Sequence, residues 1–390
     1  MIPNCPAPLS PYVQVAELFP PGRPLRLQNG GELTGVQVAY ETYGTPDSRH
    51  PNTVFVCHAL TGDSHPARHA PGDLPGWWEP ALGPGKAIDT ERFHVVCANV
   101  LGGCAGTSGP WSQGPDGRAY GTDFPEVTVA DMVTVHRELL TAHLGIDRLH
   151  AVVGGSLGGM QALDWLLRHP GDASVFALIA ATGRLSADNL AFNAIARAAI
   201  RGDPGFADGH YVELRSNPAA GLGIARMVGH MTYMSEAALE YKFGRDPRRP
   251  TAGPGRRPAI LRGGFEVERY LEYQAEKLVA RFDANSYLYL TSAMDRFDPF
   301  ADKPRPSCWP LPEVYLHSFA TDRLFGVDHS LELREQLMTV GLPSTHFHET
   351  SSIAGHDAFL LDVPDYLREL GAQLRASIGG EDVSLRSPLA

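Results

Sequence analysis

The chain has 390 residues, with 33 Lys+Arg against 44 Asp+Glu and a formal net charge of −11. Hydrophobic residues at 43% and charged residues at 20% suit a globular protein with a sizeable core and exclude a largely disordered chain. The acidic balance argues against sequence-independent nucleic-acid binding, which needs a basic excess to release counterions. The 41 glycines and 32 prolines predict long, shaped loops rather than a spare helical bundle.

Residues 1–30 are rich in proline and read as irregular. Alternating apolar positions predict strands at 35–43 and 53–57, and the run HVVCANV at 94–100 predicts a buried one. Helical periodicity covers 127–144, with Gly145 as its stop. A short apolar run at 149–153, a helical pattern at 157–168 and a buried strand at 176–181 follow. Strand, helix, strand, helix, strand at this spacing predicts a parallel sheet covered by helices. From 187 to 297 the pattern turns mainly helical, around a Pro-, Gly- and Arg-rich centre at 243–264 that reads as an exposed loop. Strand character returns at 314–319 and 345–349, a helix is expected at 363–374, and the last dozen residues read as a mobile tail. The expected organisation is an α/β core, 1–186 and 298–390, split by a helical insertion, 187–297.

The five cysteines form no C-x-x-C pair, so reduced thiols are expected rather than a disulfide framework or a zinc site. No HExxH motif is present, and the pairs His65/His69 and His346/His348 carry no further metal-ligand signal; no bound metal is expected. Residues 1–10 lack a basic segment followed by an apolar one, and no run of 18 apolar residues occurs. Neither a signal peptide nor a membrane span is expected, and a cytoplasmic location follows.

The sharpest motif is Gly154-Gly155-Ser156-Leu157-Gly158-Gly159. It satisfies G-x-S-x-G between an expected strand and an expected helix, the context of a nucleophile elbow. Small residues let the backbone turn tightly and present the serine Oγ outward, and the helix start puts its positive end near a developing oxyanion. Serine is a weak nucleophile that needs a base, itself oriented by an acid. In α/β-hydrolases the chain order is Ser, acid, His. Asp322 follows the expected strand at 314–319, with Asp328 as a competitor farther from the strand end. His356 sits in a Gly-flanked loop after the last expected strand. The oxyanion hole needs two backbone N–H groups: Leu157 directly after the serine, and Leu60 or Thr61 in the loop after the strand at 53–57.

With these residues in view, the sequence resembles the homoserine O-acetyltransferases, α/β-hydrolase-fold acyltransferases of methionine biosynthesis. The segments that carry the likeness are HALTG at 58–62, NVLGGCAG at 99–106 with Gly109-Pro110, and Asp131-Met132-Val133. GGSLGGMQALDW at 154–165, RFDANSYL at 281–288 and GHDAFLL at 355–361 complete them. The resemblance implies acyl transfer from acetyl-CoA to L-homoserine through an acyl-Ser156, with His356 as base and acid and Asp322 orienting it. No permanently bound cofactor is implied; acetyl-CoA is a substrate. The resemblance also assigns Arg226 to the substrate carboxylate, with Tyr233 beside it, and Asp357 to the substrate ammonium. A solvated arginine and a helix-capping aspartate would read the same in sequence. The helical insertion is expected to act as a lid that excludes water and, by resemblance, to form a homodimer interface. Its apolar residues Leu222, Ile224, Met227, Val228, Met231 and Met234 suit either that role or packing on the core. Arg323 departs from the family pattern. A cation beside the acid would suit an anionic acyl group, which keeps open a succinyl donor. The triad alone also leaves open a serine acceptor or a related esterase. No phosphate loop of the GxxxxGK[ST] type occurs, and only the basic residues of 243–262 suggest a place for the phosphates of CoA.

Overall fold

The computed structural model describes residues 9–248, 263–302 and 305–376. Eight principal strands form one sheet: β1 (Gln14–Leu18), β2 (Val36–Tyr43), β3 (Thr53–Cys57), β4 (His94–Ala98), β5 (Leu149–Gly155), β6 (Ala173–Ile179), β7 (Glu313–Phe319) and β8 (Thr345–Thr350). Their order across the sheet is β1-β2-β4-β3-β5-β6-β7-β8. β1 and β2, and β2 and β4, pair antiparallel, and every later pair is parallel. The central strands β3, β4 and β5 are buried at every residue. That is why they read as continuous Val- and Ala-rich runs rather than alternating ones.

Helix α1 (Val129–Glu138) begins at a capping box in which Thr128 and Asp131 satisfy each other's backbone N–H. The Asp131 carboxylate also accepts from Gln28 N at 3.0 Å, so it ties the N-terminal segment to the core. α1 then widens into a π-turn at Leu139–His143 before Gly145, which takes φ +67°. Helix α2 (Leu157–Arg168) is buried from Leu157 through Leu167 and lies against β5 and β6.

Between β6 and β7 the described residues form five α-helices: α3 (Ala187–Arg201), α4 (Ala219–Tyr233), α5 (Glu236–Phe243), α6 (Glu266–Val279) and α7 (Ala284–Asp295). α4 packs against α3 and α6, and it also meets the turn at Gly355–Leu360. Ile200, Leu222, Ala225 and Leu278 join the same apolar cluster as the core residues Phe55, Val152 and Leu163. The inserted helices are thus seated on the core rather than separated from it. Helix α8 (Val327–Thr339) connects β7 to β8, and α9 (Pro364–Ala376) closes the described chain.

Several expectations change. The first thirty residues are not wholly irregular: β1 adds an antiparallel edge strand in which only Ala16 and Leu18 are buried, too few to stand out in the sequence. α8 was not expected at all; its buried positions reduce to Ser330, Leu333 and Leu337, a thin stripe. The expected loop at 243–264 begins where α5 ends, but its centre, 249–262, lies outside the described residues, as does the expected tail after 376. Among the described residues, no helix is long and apolar enough to cross a membrane.

Candidate active site

Ser156 sits at the junction of β5 and α2 with φ 58° and ψ −122°. A side chain in this region costs about 1–3 kcal/mol and persists only where its surroundings hold it. Here the Ser156 N–H donates to Ile179 O at 3.0 Å. The flanking glycines are steric requirements. A Cβ on Gly154 would lie 2.2 Å from Gly158 O, and one on Gly158 would lie 2.1 Å from Cys57 O. β3 and the start of α2 come this close only because neither glycine has a side chain.

Asp322 ends the turn after β7. Its Oδ1 accepts from the Leu324 and Phe325 N–H groups at 2.8 and 2.9 Å. Its Oδ2 accepts from His356 Nδ1 at 2.7 Å. That bond assigns the proton to Nδ1 and leaves Nε2 as a lone pair; Nε2 is buried and makes no hydrogen bond. Burial pulls the His356 pKa down, but the Asp322 charge and hydrogen bond outweigh it and the net direction is up. Asp322 moves oppositely: burial raises its pKa, and His356 with the two amides brings it below the usual carboxylate range. Asp328, the competing acid, lies in the first turn of α8 and does not bond His356.

The two loops are stitched together. Thr321 Oγ1 donates to Ser352 O at 2.6 Å and accepts from Gly355 N at 3.1 Å. Gly355 has φ +76°, and a Cβ there would meet Ser235 N at 2.5 Å and Tyr233 O at 2.7 Å. The base loop is therefore pressed onto the C-terminal end of α4.

That contact brings the expected substrate residues near the base. The Tyr233 ring lies 6.0 Å from the His356 ring. The Arg226 guanidinium lies 5.7 Å from the Tyr233 ring, and its Nη1 donates to Thr61 Oγ1 at 3.4 Å. Arg226 Nε is buried without a partner. Asp357 follows His356 and is raised in pKa by burial, against the lowering pull of His356 and Arg226.

Ser156, Leu60, Tyr233, Tyr287, Leu324 and Phe325 share the lining of a cavity of about 40 Å³. Leu60 thus faces the serine's cavity, whereas Thr61 opposes Arg226. Leu157 opens α2 and is fully buried. The loop carrying Leu60 and Thr61 is braced by His58. Its Nδ1 donates to Ala59 O at 2.7 Å, and its Nε2 accepts from Val100 N at 3.0 Å. Arg323 is exposed, so its charge faces away while its neighbours Leu324 and Phe325 wall the cavity.

Sequence reasoning missed one buried network beside this loop. Glu41 on β2 is fully buried, and its Oε2 accepts from His65 Nδ1 at 2.8 Å, His69 Nε2 at 2.7 Å and Tyr43 Oη at 2.9 Å. Donor atoms of Glu41, His65 and His69 lie within 4.8 Å of one another, close enough to hold a cation. Protons account for the geometry: His65 Nε2 donates to Leu74 O at 2.8 Å, so Nδ1 needs a second proton to face a carboxylate. Burial opposes that charge, but the bonds to Glu41 and Leu74 and the charges of Glu41 and Asp73 raise the His65 pKa to about 9. The i,i+4 spacing of the histidines gave no hint of this, because both sit on a loop and their common partner is 24 residues earlier.

Comparisons with known proteins place the fold and the family. The family model for the alpha/beta hydrolase fold matches residues 52–363. A homoserine O-succinyltransferase from Nocardioides sp. is 46% identical over 350 residues, covering 89% of this chain and 93% of that protein. A homoserine O-acetyltransferase from Rhodopseudomonas palustris is 44% identical over 376 residues, covering 94% and 92%. The crystal structure of homoserine O-acetyltransferase from Bacillus anthracis superposes with a TM-score of 0.79 at 27% identity, covering 93% of this chain and 97% of that one.

Proposed function

The chain belongs to the homoserine O-acyltransferases of α/β-hydrolase fold, and from that premise we propose that it moves an acetyl group from acetyl-CoA to the hydroxyl of L-homoserine. The observation that carries the chemistry is the buried Asp322–His356 bond of 2.7 Å, which leaves Nε2 without a hydrogen-bond partner and able to serve as a base. In the first half-reaction Ser156 Oγ attacks the thioester carbonyl and His356 Nε2 takes its proton. The Leu157 N–H and one from Leu60 or Thr61 hold the oxyanion. The C–S bond breaks, and His356 protonates the leaving thiol. In the second half-reaction the homoserine hydroxyl gives its proton to His356 and attacks the acyl-Ser156 carbonyl; the ester leaves and Ser156 recovers the proton.

The acceptor is a zwitterion and needs both charges met. Arg226 suits its carboxylate, because the planar fork binds carboxylates in bidentate fashion and the unpartnered Nε leaves capacity for one. Asp357 suits its ammonium. Transfer rather than hydrolysis requires that the acceptor hydroxyl, not water, reach the acyl carbon. The inserted helices α3, α4 and α7 wall the small cavity over Ser156, which supports a lid role. The residues lining that cavity carry no formal charge and Arg323 is exposed, which favours acetyl over succinyl. Among the described residues the four cysteines form no disulfide, in keeping with a reducing cytoplasm, and exposed apolar residues on α4 support a homodimer through the insertion.

The test is CoA release from acetyl-CoA with and without homoserine. Release that needs homoserine is expected; equal release without it removes the transferase reading. Running succinyl-CoA beside acetyl-CoA decides the donor, and faster turnover of succinyl-CoA would reverse that choice.

A further inference from the structure

A second, larger cavity, of about 460 Å³, is lined by Thr61, Asp63, Leu74, Trp77, Lys277 and Arg281 among others. Its lining therefore combines apolar surface with two cations and the carboxylate of Asp63.

Arg281 and Lys277 differ from the paired cations of this molecule. The partly buried arginines Arg137, Arg168 and Arg197 each hold an aspartate at 2.5 Å. Arg281 is also partly buried, yet it makes no ion pair among the described residues. Arginine does not shed its proton, and a desolvated cation without a counter-charge costs stability unless an anion arrives. Burial pulls the Arg281 pKa down, with Arg226 adding to that pull and Asp63 opposing it without closing an ion pair. Lys277 sits in the last turn of α6 and lines the same cavity. Among the described residues it forms no ion pair either, and its ammonium rests 5.4 Å from the Tyr273 ring.

We propose that this cavity receives the diphosphate-bearing end of the acyl-CoA donor, with Arg281 and Lys277 as the cations that bind it. The inference rests on the reading of the protein as a CoA-dependent transferase and deepens it. The acceptor is small and must enter the narrow cavity at Ser156; the donor is long, carries its negative charge far from its thioester, and needs a separate groove. Thr61 borders this groove and is bonded to Arg226, while its neighbour Leu60 lines the serine's cavity, so the loop is the shared wall between the two. The fork of Arg281 and the point charge of Lys277 suit phosphate oxygens, and Leu74 and Trp77 offer apolar surface to the pantetheine arm. Two half-buried arginines then divide the anions: Arg226 takes the acceptor carboxylate and Arg281 the donor phosphates.

The experiment compares acetyl-CoA with p-nitrophenyl acetate, a donor that acylates serine but has no phosphate. Lys277→Ala and Arg281→Ala are expected to raise KM for acetyl-CoA about tenfold each, with the defect absent from KM for p-nitrophenyl acetate. ADP is expected to inhibit competitively against acetyl-CoA and to lose that inhibition in both variants. KM for acetyl-CoA within twofold of the parent in both variants would overturn the proposal. An equal defect with both donors would also overturn it, since it would mark a structural role. If the parent protein consumes p-nitrophenyl acetate but neither acetyl-CoA nor succinyl-CoA, the transferase reading itself fails, a result distinct from either of those.

Discussion

Asp322 accepts three hydrogen bonds, two from backbone amides and one from His356, and this saturation sets the pH response of the site. A general base must be neutral, and an imidazole whose pKa is raised stays protonated to higher pH. The acid limb of kcat/KM is therefore expected above the ordinary histidine value of 6.5. Asp322→Asn removes the charge that raises His356 and leaves the burial that lowers it. The limb should then move to lower pH while kcat falls, on the order of 10⁴-fold as in other triads. A pH–rate profile of the variant checks both, and an unmoved limb would separate Asp322 from the base. Arg226 gives a complementary expectation. Arg226→Ala should raise KM for homoserine at least about tenfold, the worth of a charge-assisted hydrogen bond, while burst release of CoA on acylation persists. An unchanged KM for homoserine would argue against the carboxylate contact.

At the scale of elements, the elbow makes a steric forecast. Gly158→Ala would put a Cβ 2.1 Å from a backbone oxygen of β3, and neither α2 nor β3 can move without disturbing the sheet. A loss of about 3 kcal/mol or more is expected. Gly22→Ala, with nothing within 4 Å of its Cβ, should stay within about 0.5 kcal/mol; urea melts of both variants measure the contrast. The Glu41–His65 pair ties the loop after β3 to β2. Since the His65 pKa is raised from 6.5 to about 9, its contribution to stability is complete below 6.5 and is lost as pH rises toward 9. The melting temperature should decline over that window, and less steeply in His65→Gln; parallel slopes would remove His65 as the source. These two cases show what the sequence could reveal. The elbow was legible because its glycines and serine are contiguous and flanked by periodic elements. Asp322 and His356 were legible because each follows a strand end. β1 and α8 were not, because their buried stripes are thin. Glu41 was not, because partners 24 and 28 residues apart meet only once the sheet has formed.

Over the whole molecule, the −11 net charge tells little about association, and the apolar surface tells more. The six insertion residues expected either to pack or to pair divide. Leu222 and Met234 are buried, Met227 and Val228 are half-buried, and Ile224 and Met231 are 48% and 39% exposed. Ile224 and Met231 are seven residues apart and so lie on one face of α4. Tyr241 on α5 and Tyr273 on α6 are exposed as well, and α5 buries none of its residues. Large exposed apolar side chains on neighbouring helices point to an interface, and a two-fold axis through such a face would make it self-complementary. The protein is expected to sediment as a dimer at micromolar concentration, and Ile224→Asp with Met231→Asp is expected to make it a monomer. A monomeric parent protein would end the idea. The consequence reaches the site, because α4 carries Arg226 between these two residues and ends at Tyr233, against the loop of His356. A dimer holding α4 from outside would steady the acceptor's carboxylate partner, so the monomeric variant should show a raised KM for homoserine with KM for acetyl-CoA little changed.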